Sequence, residues 1–162
     1  MKLKSLLQPM TMAVVVLVSL SESIQAQTTP KFFCGTYQGH SATLVRTPRG
    51  SVPLIVWMND DNLSNTQQLS EEYCRDVSGN FEHFNNNGQL KYLKAGVING
   101  VEVICATGNS SDVCNSNTVL LTLPAEMNAN EALSTLINSR VTAFAPPLYI
   151  DVSKIENRGS HH

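Results

Sequence analysis

Four cysteines are the residues whose type and number speak first to chemistry. Cys34, Cys74, Cys105 and Cys114 form an even set with no C-x-x-C interval. His40 and His83 stand at no ligand-like spacing from them, so the pattern argues against zinc. In an oxidising compartment it reads as two disulfides, with three connectivities open at this point.

A second candidate lies in the stretch MNDDNLSNTQQLSEEYC, Met58 to Cys74. Asp60, Asn62, Ser64 and Glu71 fall at positions one, three, five and twelve of a calcium-loop spacing, and Thr66 offers its carbonyl. Hard cations need six to eight oxygens, which a twelve-residue loop supplies by wrapping the ion. Here Asn65 replaces the glycine of the sharp turn, Gln67 stands where an apolar residue packs, and a strand leads in. The stretch therefore reads as a polar connector, with Ser70 as N-cap and Glu71 and Glu72 in the first turn of a helix. No metal and no cofactor is expected.

Two further groups are weighed the same way. Arg46 and Arg49 flank a Pro-Gly turn and suit a carboxylate, a phosphate or an anionic lipid headgroup. A solvated basic turn is the simpler reading, because two arginines fall short of the cluster that holds a lipid surface. A hydrolase would need a nucleophile, a base and an orienter, yet no serine lies in a G-x-S-x-G context. An enzyme would require a concave pocket holding His83 or His40 beside an acid; His40 is expected in a loop after Gly39 and His83 on a helix. No catalytic residue is assigned.

The elements that must position these groups begin after an export signal. Lys2 and Lys4 precede the nearly continuous apolar run Thr11 to Leu20, and Ile24-Gln25-Ala26 offers a small residue for cleavage. Residues 1–26 are therefore expected to be a signal peptide, the run being too short for a spanning helix. Removing those 26 residues, with two Lys and one Glu, leaves 136 of 162 and moves the formal charge from -2 to -3. A mildly acidic product of one-domain length offers no electrostatic reason to bind nucleic acid. No other apolar run approaches transmembrane length.

Aromatic Lys31 to Tyr37, Ala42 to Arg46 and Val52 to Met58 predict three strands, the last two joined by the turn Thr47 to Ser51. Pro53 marks a strand beginning or an edge. Leu69, Tyr73, Val77, Phe81 and Phe84 make one helical stripe with Cys74 on its flank. Gly79 interrupts that helix and Gly88 suits its left-handed stop. Asn99-Gly100 predicts a two-residue hairpin that pairs Ile98 with Val101 and sets Cys105 opposite Lys94. Thr118 to Leu123 is a last strand, Asn130 to Arg140 a short helix, and Pro146-Pro147 open an irregular tail. The expected fold is α+β, a largely antiparallel sheet with two helices in the order βββαβββα. A single domain is expected over residues 27–148, with a tail at 149–162.

Several segments together carry a resemblance: FFCG (Phe32 to Gly35), RTPRGSVPLIVW (Arg46 to Trp57), YCRDVSGNF (Tyr73 to Phe81), NGQLKYLKAGVINGVEVIC (Asn87 to Cys105), the following Cys114, and LLTL (Leu120 to Leu123). The chain resembles the cyanobacterial circadian oscillating protein domain family over about Phe32 to Leu148. The match departs at Leu69 to Cys74, where Arg75 follows the cysteine and no basic residue precedes it. The resemblance implies an exported, cyanobacterial domain of the envelope or thylakoid lumen, with peripheral membrane association as a further implication; it brings no established reaction and does not imply an enzyme.

The cysteine pairing expected is Cys34–Cys74 and Cys105–Cys114. The first ties the opening strand to the helix; the second closes a polar loop directly after a strand. On the chain-entropy account the long loop contributes ~4 kcal/mol and the short one ~3 kcal/mol. The functional expectation is an exported interaction module, stapled by these disulfides, whose partner is a protein or envelope component. The alternatives are an unrecognised hydrolase-type enzyme and a peripheral membrane or anion-binding domain.

Overall fold

The structure, a computed structural model, describes residues 31–59, 65–141 and 145–155. The expected signal peptide, the oxygens of Asp60, Asn62 and Ser64, and the last residues of the expected tail lie outside these.

Three strands open the domain: β1 (Phe32–Tyr37), β2 (His40–Thr47) and β3 (Gly50–Met58). Each joins the next through a two-residue turn, and in the first of these Gln38 and Gly39 both have positive φ, 50° and 85°. That geometry matches the right-handed twist of the strands it connects. His40 therefore begins β2 instead of lying in a loop. Opposite Thr43 and Leu44 the register slips, Thr43 facing Ile55 and Leu44 facing Pro53, so that Leu54 is the extra residue of a bulge. Leu54 and Ile55 both reach the core as a result.

Helix α1 (Thr66–Asn86) starts four residues before the expected Ser70. Its N-cap is Asn65, left-handed at φ 81°, with no side-chain capping bond and no acidic residue in the first turn. Ser70 is instead an internal, buried residue whose hydroxyl donates to the Gln67 carbonyl at 2.8 Å. Exposed Gln67 and Gln68 had disguised the first turn as connector. The buried face also differs from the expected stripe: Thr66, Ser70, Cys74, Val77, Ser78, Phe81 and Phe84 are buried, with Leu69 and Tyr73 only partly so. Cys74 lies at the centre of that face and not on its flank. The helix stops where Gly88 takes φ 68°.

Strands β4 (Tyr92–Ile98), β5 (Val101–Thr107) and β6 (Val119–Thr122) form a second antiparallel sheet. Asn99 and Gly100 make its hairpin turn, and the register pairs Ile98 with Val101 and Lys94 with Cys105 as anticipated. Helix α2 (Ala129–Val141) follows. The α+β order βββαβββα thus holds, with the six strands divided between two sheets rather than joined in one.

The segment after Pro146-Pro147, expected to be irregular, supplies a seventh strand. β7 (Leu148–Asp151) runs parallel to β3, pairing Ile55 with Leu148 through Met58 with Asp151. It completes a four-stranded sheet in the order β1-β2-β3-β7. Ile150 and the following Val152 are fully buried, so the fold continues past residue 148.

The larger of two apolar clusters unites these layers. Phe32 stacks on Phe81 at 5.2 Å and Trp57 on Tyr73 at 5.8 Å, pinning α1 to the first sheet. Beneath them Thr43 Oγ1 accepts from Trp57 Nε1 and from Ser78 Oγ, each at 3.1 Å. A buried indole N–H and a buried hydroxyl are satisfied by one threonine, a role for which its neighbours in sequence offer no cue.

Candidate interaction face

The cysteines are structural. Cys34–Cys74 joins β1 to the buried face of α1, with Cα atoms 5.4 Å apart, and Cys105–Cys114 ties β5 to the loop before β6, at 5.6 Å. There are no free thiols among the described residues. Lys94 Nζ reinforces the second closure, donating to the Ser110 carbonyl at 2.7 Å and to the Asp112 carbonyl.

The other candidates are not gathered into one centre. Glu71 is an exposed residue well inside α1, so it does not end a twelve-residue loop. Among the described residues no three His, Cys, Asp or Glu side chains come together in a metal-binding group. His83 is exposed on α1, its ring beside Phe84 and in contact with the Asn87 amide. His40 meets the Asn59 amide oxygen at 3.3 Å and lines a small polar cleft with Thr36, Gln67, Ser70 and Glu71.

The arrangement that stands out lies on the first sheet. Cross-strand pairing places Phe33, Gly35 and Tyr37 of β1 on the same face as Leu44, Ala42 and His40 of β2. It continues through Val56 of β3 to Tyr149 of β7. This is the face opposite Phe32, Cys34, Thr43 and Trp57, which point at α1. It carries its own apolar cluster: Ala42, Val56 and Leu44 are buried beneath Phe33, Tyr37 and Met58. Among the described residues that cluster is made of strand side chains, whereas both helices bury theirs in the main core. Tyr149 at the margin is 45% exposed.

One end of this face is basic. The Arg46 guanidinium lies over the Phe33 ring, 4.1 Å from its centroid, a cation–π arrangement that stacks the planar cation on the aromatic face. Arg49 follows in the turn, where Thr47 Oγ1 donates to the Gly50 carbonyl at 2.7 Å and accepts from the Arg49 amide. Beside them an open cleft of about 860 Å³ runs between the start of β3 and Pro146-Pro147, reaching Lys31 and Tyr149.

The sequence singles out Arg46 and Arg49 but not the face they border. One signal was available: the unbroken apolar run Leu54 to Trp57 belongs to a strand covered on both sides. The alternation that assigns Phe33 and Tyr37 to the outer face becomes visible only with the register.

The family model of the circadian oscillating protein COP23 matches residues 31–154, which takes in β7 and the turn after it. No curated protein and no solved structure matches the chain.

Proposed function

This chain belongs to the circadian oscillating protein COP23 family, and from that premise we propose that it is an exported, non-catalytic interaction module of the cyanobacterial cell envelope or thylakoid lumen. The observation that carries the proposal is the second apolar cluster on the outer face of the first sheet. Burying Ala42 and Val56 completely while leaving Phe33, Tyr37, Met58 and Tyr149 partly open produces an apolar centre with an aromatic margin. Aromatic and arginine residues of this kind dominate binding energy at protein interfaces. Two disulfides are consistent with folding in an oxidising compartment, and no helix of the described residues is long and apolar enough to cross a membrane. Cross-linking of the tagged protein in native envelope extracts is expected to recover one dominant partner; a diffuse set of adducts contradicts the proposal.

The enzymatic alternative has one observation in its favour, the cleft holding His40 with Glu71 and Ser70. Of the two serines that line it, Ser41 and Ser70, Ser70 is a poor nucleophile candidate, because its hydroxyl is buried and engaged with the Gln67 carbonyl. Loss of ester hydrolysis in a His40→Ala variant of pure protein would favour this reading; no turnover by the parent protein removes it.

A further inference from the structure

The second sheet ends at β4, and the backbone of that strand is open on its outer side. The Glu102 carbonyl accepts from the Leu123 amide at 2.9 Å, and the Ala106 amide donates to the Thr118 carbonyl at 2.9 Å. Both groups of β5 thus point toward β6 and away from β4. Their cross-strand partners on β4 are Val97 and Leu93. In such wide antiparallel pairs each residue turns its N–H and C=O away from the other. Leu93, Ala95 and Val97 therefore direct their backbone groups to the outer edge of β4. Among the described residues no strand lies beyond that edge and no hydrogen bond reaches those groups.

Open edges invite pairing and are ordinarily blunted by shortness, proline, a bulge or charge. The other sheet edges are short or covered. β6 and β7 have four residues each, and Asn80 Nδ2 donates to the Leu120 carbonyl of β6. At β1 the Glu82 carboxylate takes the Phe32 amide, and the Cys34–Cys74 disulfide ties α1 beside the strand. β4 has seven residues, with neither proline nor bulge. Its one charge, Lys94, is turned to the Ser110 and Asp112 carbonyls of its own chain. Cys114 covers one face of the strand at Gly96, and the main core takes Leu93 and Ala95 on the other. Yet no β4 residue is fully buried, and Tyr92 and Val97 are 45% and 61% exposed.

We infer that two copies of this chain pair through β4, antiparallel, about a two-fold axis at Ala95. Leu93 of one copy then faces Val97 of the other, and the two Ala95 residues face each other. Each of these pairs exchanges both N–H···O bonds, so every group left open on the edge is satisfied and the two second sheets become one. The side chains match in the same register. Exposed Val97 meets Leu93, exposed Tyr92 meets Ile98, and Lys94 meets Gly96, which has no side chain to crowd it. A register centred on Lys94 would carry Val97 past the end of the partner strand and set the two lysines opposite each other, a repulsive pair. A second copy suits this edge better than a foreign strand because the edge is its own complement in backbone bonds, apolar side chains and charge.

This pairing uses the second sheet alone and stands independently of the interaction-module reading. Sedimentation equilibrium of the oxidised protein should show a monomer–dimer equilibrium. The amides of Leu93, Ala95 and Val97 should be protected from hydrogen exchange at high protein concentration and exchange rapidly on dilution. Val97→Pro removes an edge-facing N–H and should weaken dimerisation at least roughly tenfold. Val97→Lys, at an exposed position, guards the edge with charge and should weaken it in the same sense. Circular dichroism checks that each variant folds; if Val97→Pro does not, Val97→Lys decides. In a mixed isotope-labelled sample, an NOE between Lys94 Hα of one copy and Gly96 Hα of the other is expected from this register. A monomer at millimolar concentration, or a dimer whose edge amides exchange as fast as in the monomer, overturns the inference. So does a dimer whose affinity the folded variants leave unchanged. Protection of the same amides in a monomer only after envelope extract is added also overturns it, in favour of a strand from another protein.

Discussion

Cys114 closes its disulfide directly over Gly96: a β-carbon on Gly96 would stand 2.7 Å from Cys114 Sγ and 2.8 Å from its Cβ. Gly96 thus keeps β4 bare where the loop before β6 folds back onto the sheet. Because the disulfide to Cys105 fixes the obstructing atoms, they have little freedom to withdraw. Gly96→Ala is expected to destabilise the oxidised protein by about 1–3 kcal/mol, the scale of overpacking. In a Cys105→Ala/Cys114→Ala background, which removes Sγ and frees the loop while keeping the β-carbon at 114, the same substitution should cost clearly less. Urea unfolding of the four proteins checks this as a double-mutant cycle.

The two disulfides should contribute unequally. Cys34–Cys74 spans 40 residues and Cys105–Cys114 spans 9. Replacing both cysteines of each pair by Ala should lower stability by about 4 kcal/mol for the first and about 3 kcal/mol for the second. The first pair also links a strand to the buried face of α1, so its loss should loosen that contact. Chemical denaturation of each variant tests the order; a larger loss for the 9-residue loop contradicts it.

Thr43 accepts from both Trp57 and Ser78 in a fully buried position. Thr43→Val keeps the shape but strands the two donors, and is expected to cost about 2–4 kcal/mol. Adding Ser78→Ala should return part of that loss by removing one orphaned group. Trp57 fluorescence reports the site while urea unfolding gives the energies.

Gly79 offers a change in the opposite sense. It lies in the interior of α1 on the exposed side, with open space around the position a β-carbon would take. Gly79→Ala should stabilise the protein by about 0.5–1 kcal/mol through helix propensity and the entropy of the unfolded chain. A decrease in thermal midpoint would contradict this.

Local signals were the legible part of this fold. Asn99-Gly100 dictates a two-residue turn, and once the turn is known the opposition of Lys94 and Cys105 follows by counting. The start of α1 was hidden because its cap, Asn65, works through a left-handed backbone and not through a side-chain bond. β7 escaped notice because four residues after two prolines carry little periodicity, and their partner, Ile55 to Met58, is remote in the chain. The outer face was the least legible of all. Which side Phe33, Leu44 and Val56 occupy depends on strand register and on the bulge at Leu54, both products of tertiary pairing.

The claim that the outer face of the first sheet is the binding surface is tested most directly by site-specific photo-crosslinking in the native cell. A photoreactive residue in place of Tyr149 samples that face, and one in place of Glu72, exposed on α1, samples the opposite side. The expected result is a discrete adduct from position 149 that is absent from position 72. Diffuse adducts alike from both positions, or a discrete adduct from position 72 alone, would contradict it.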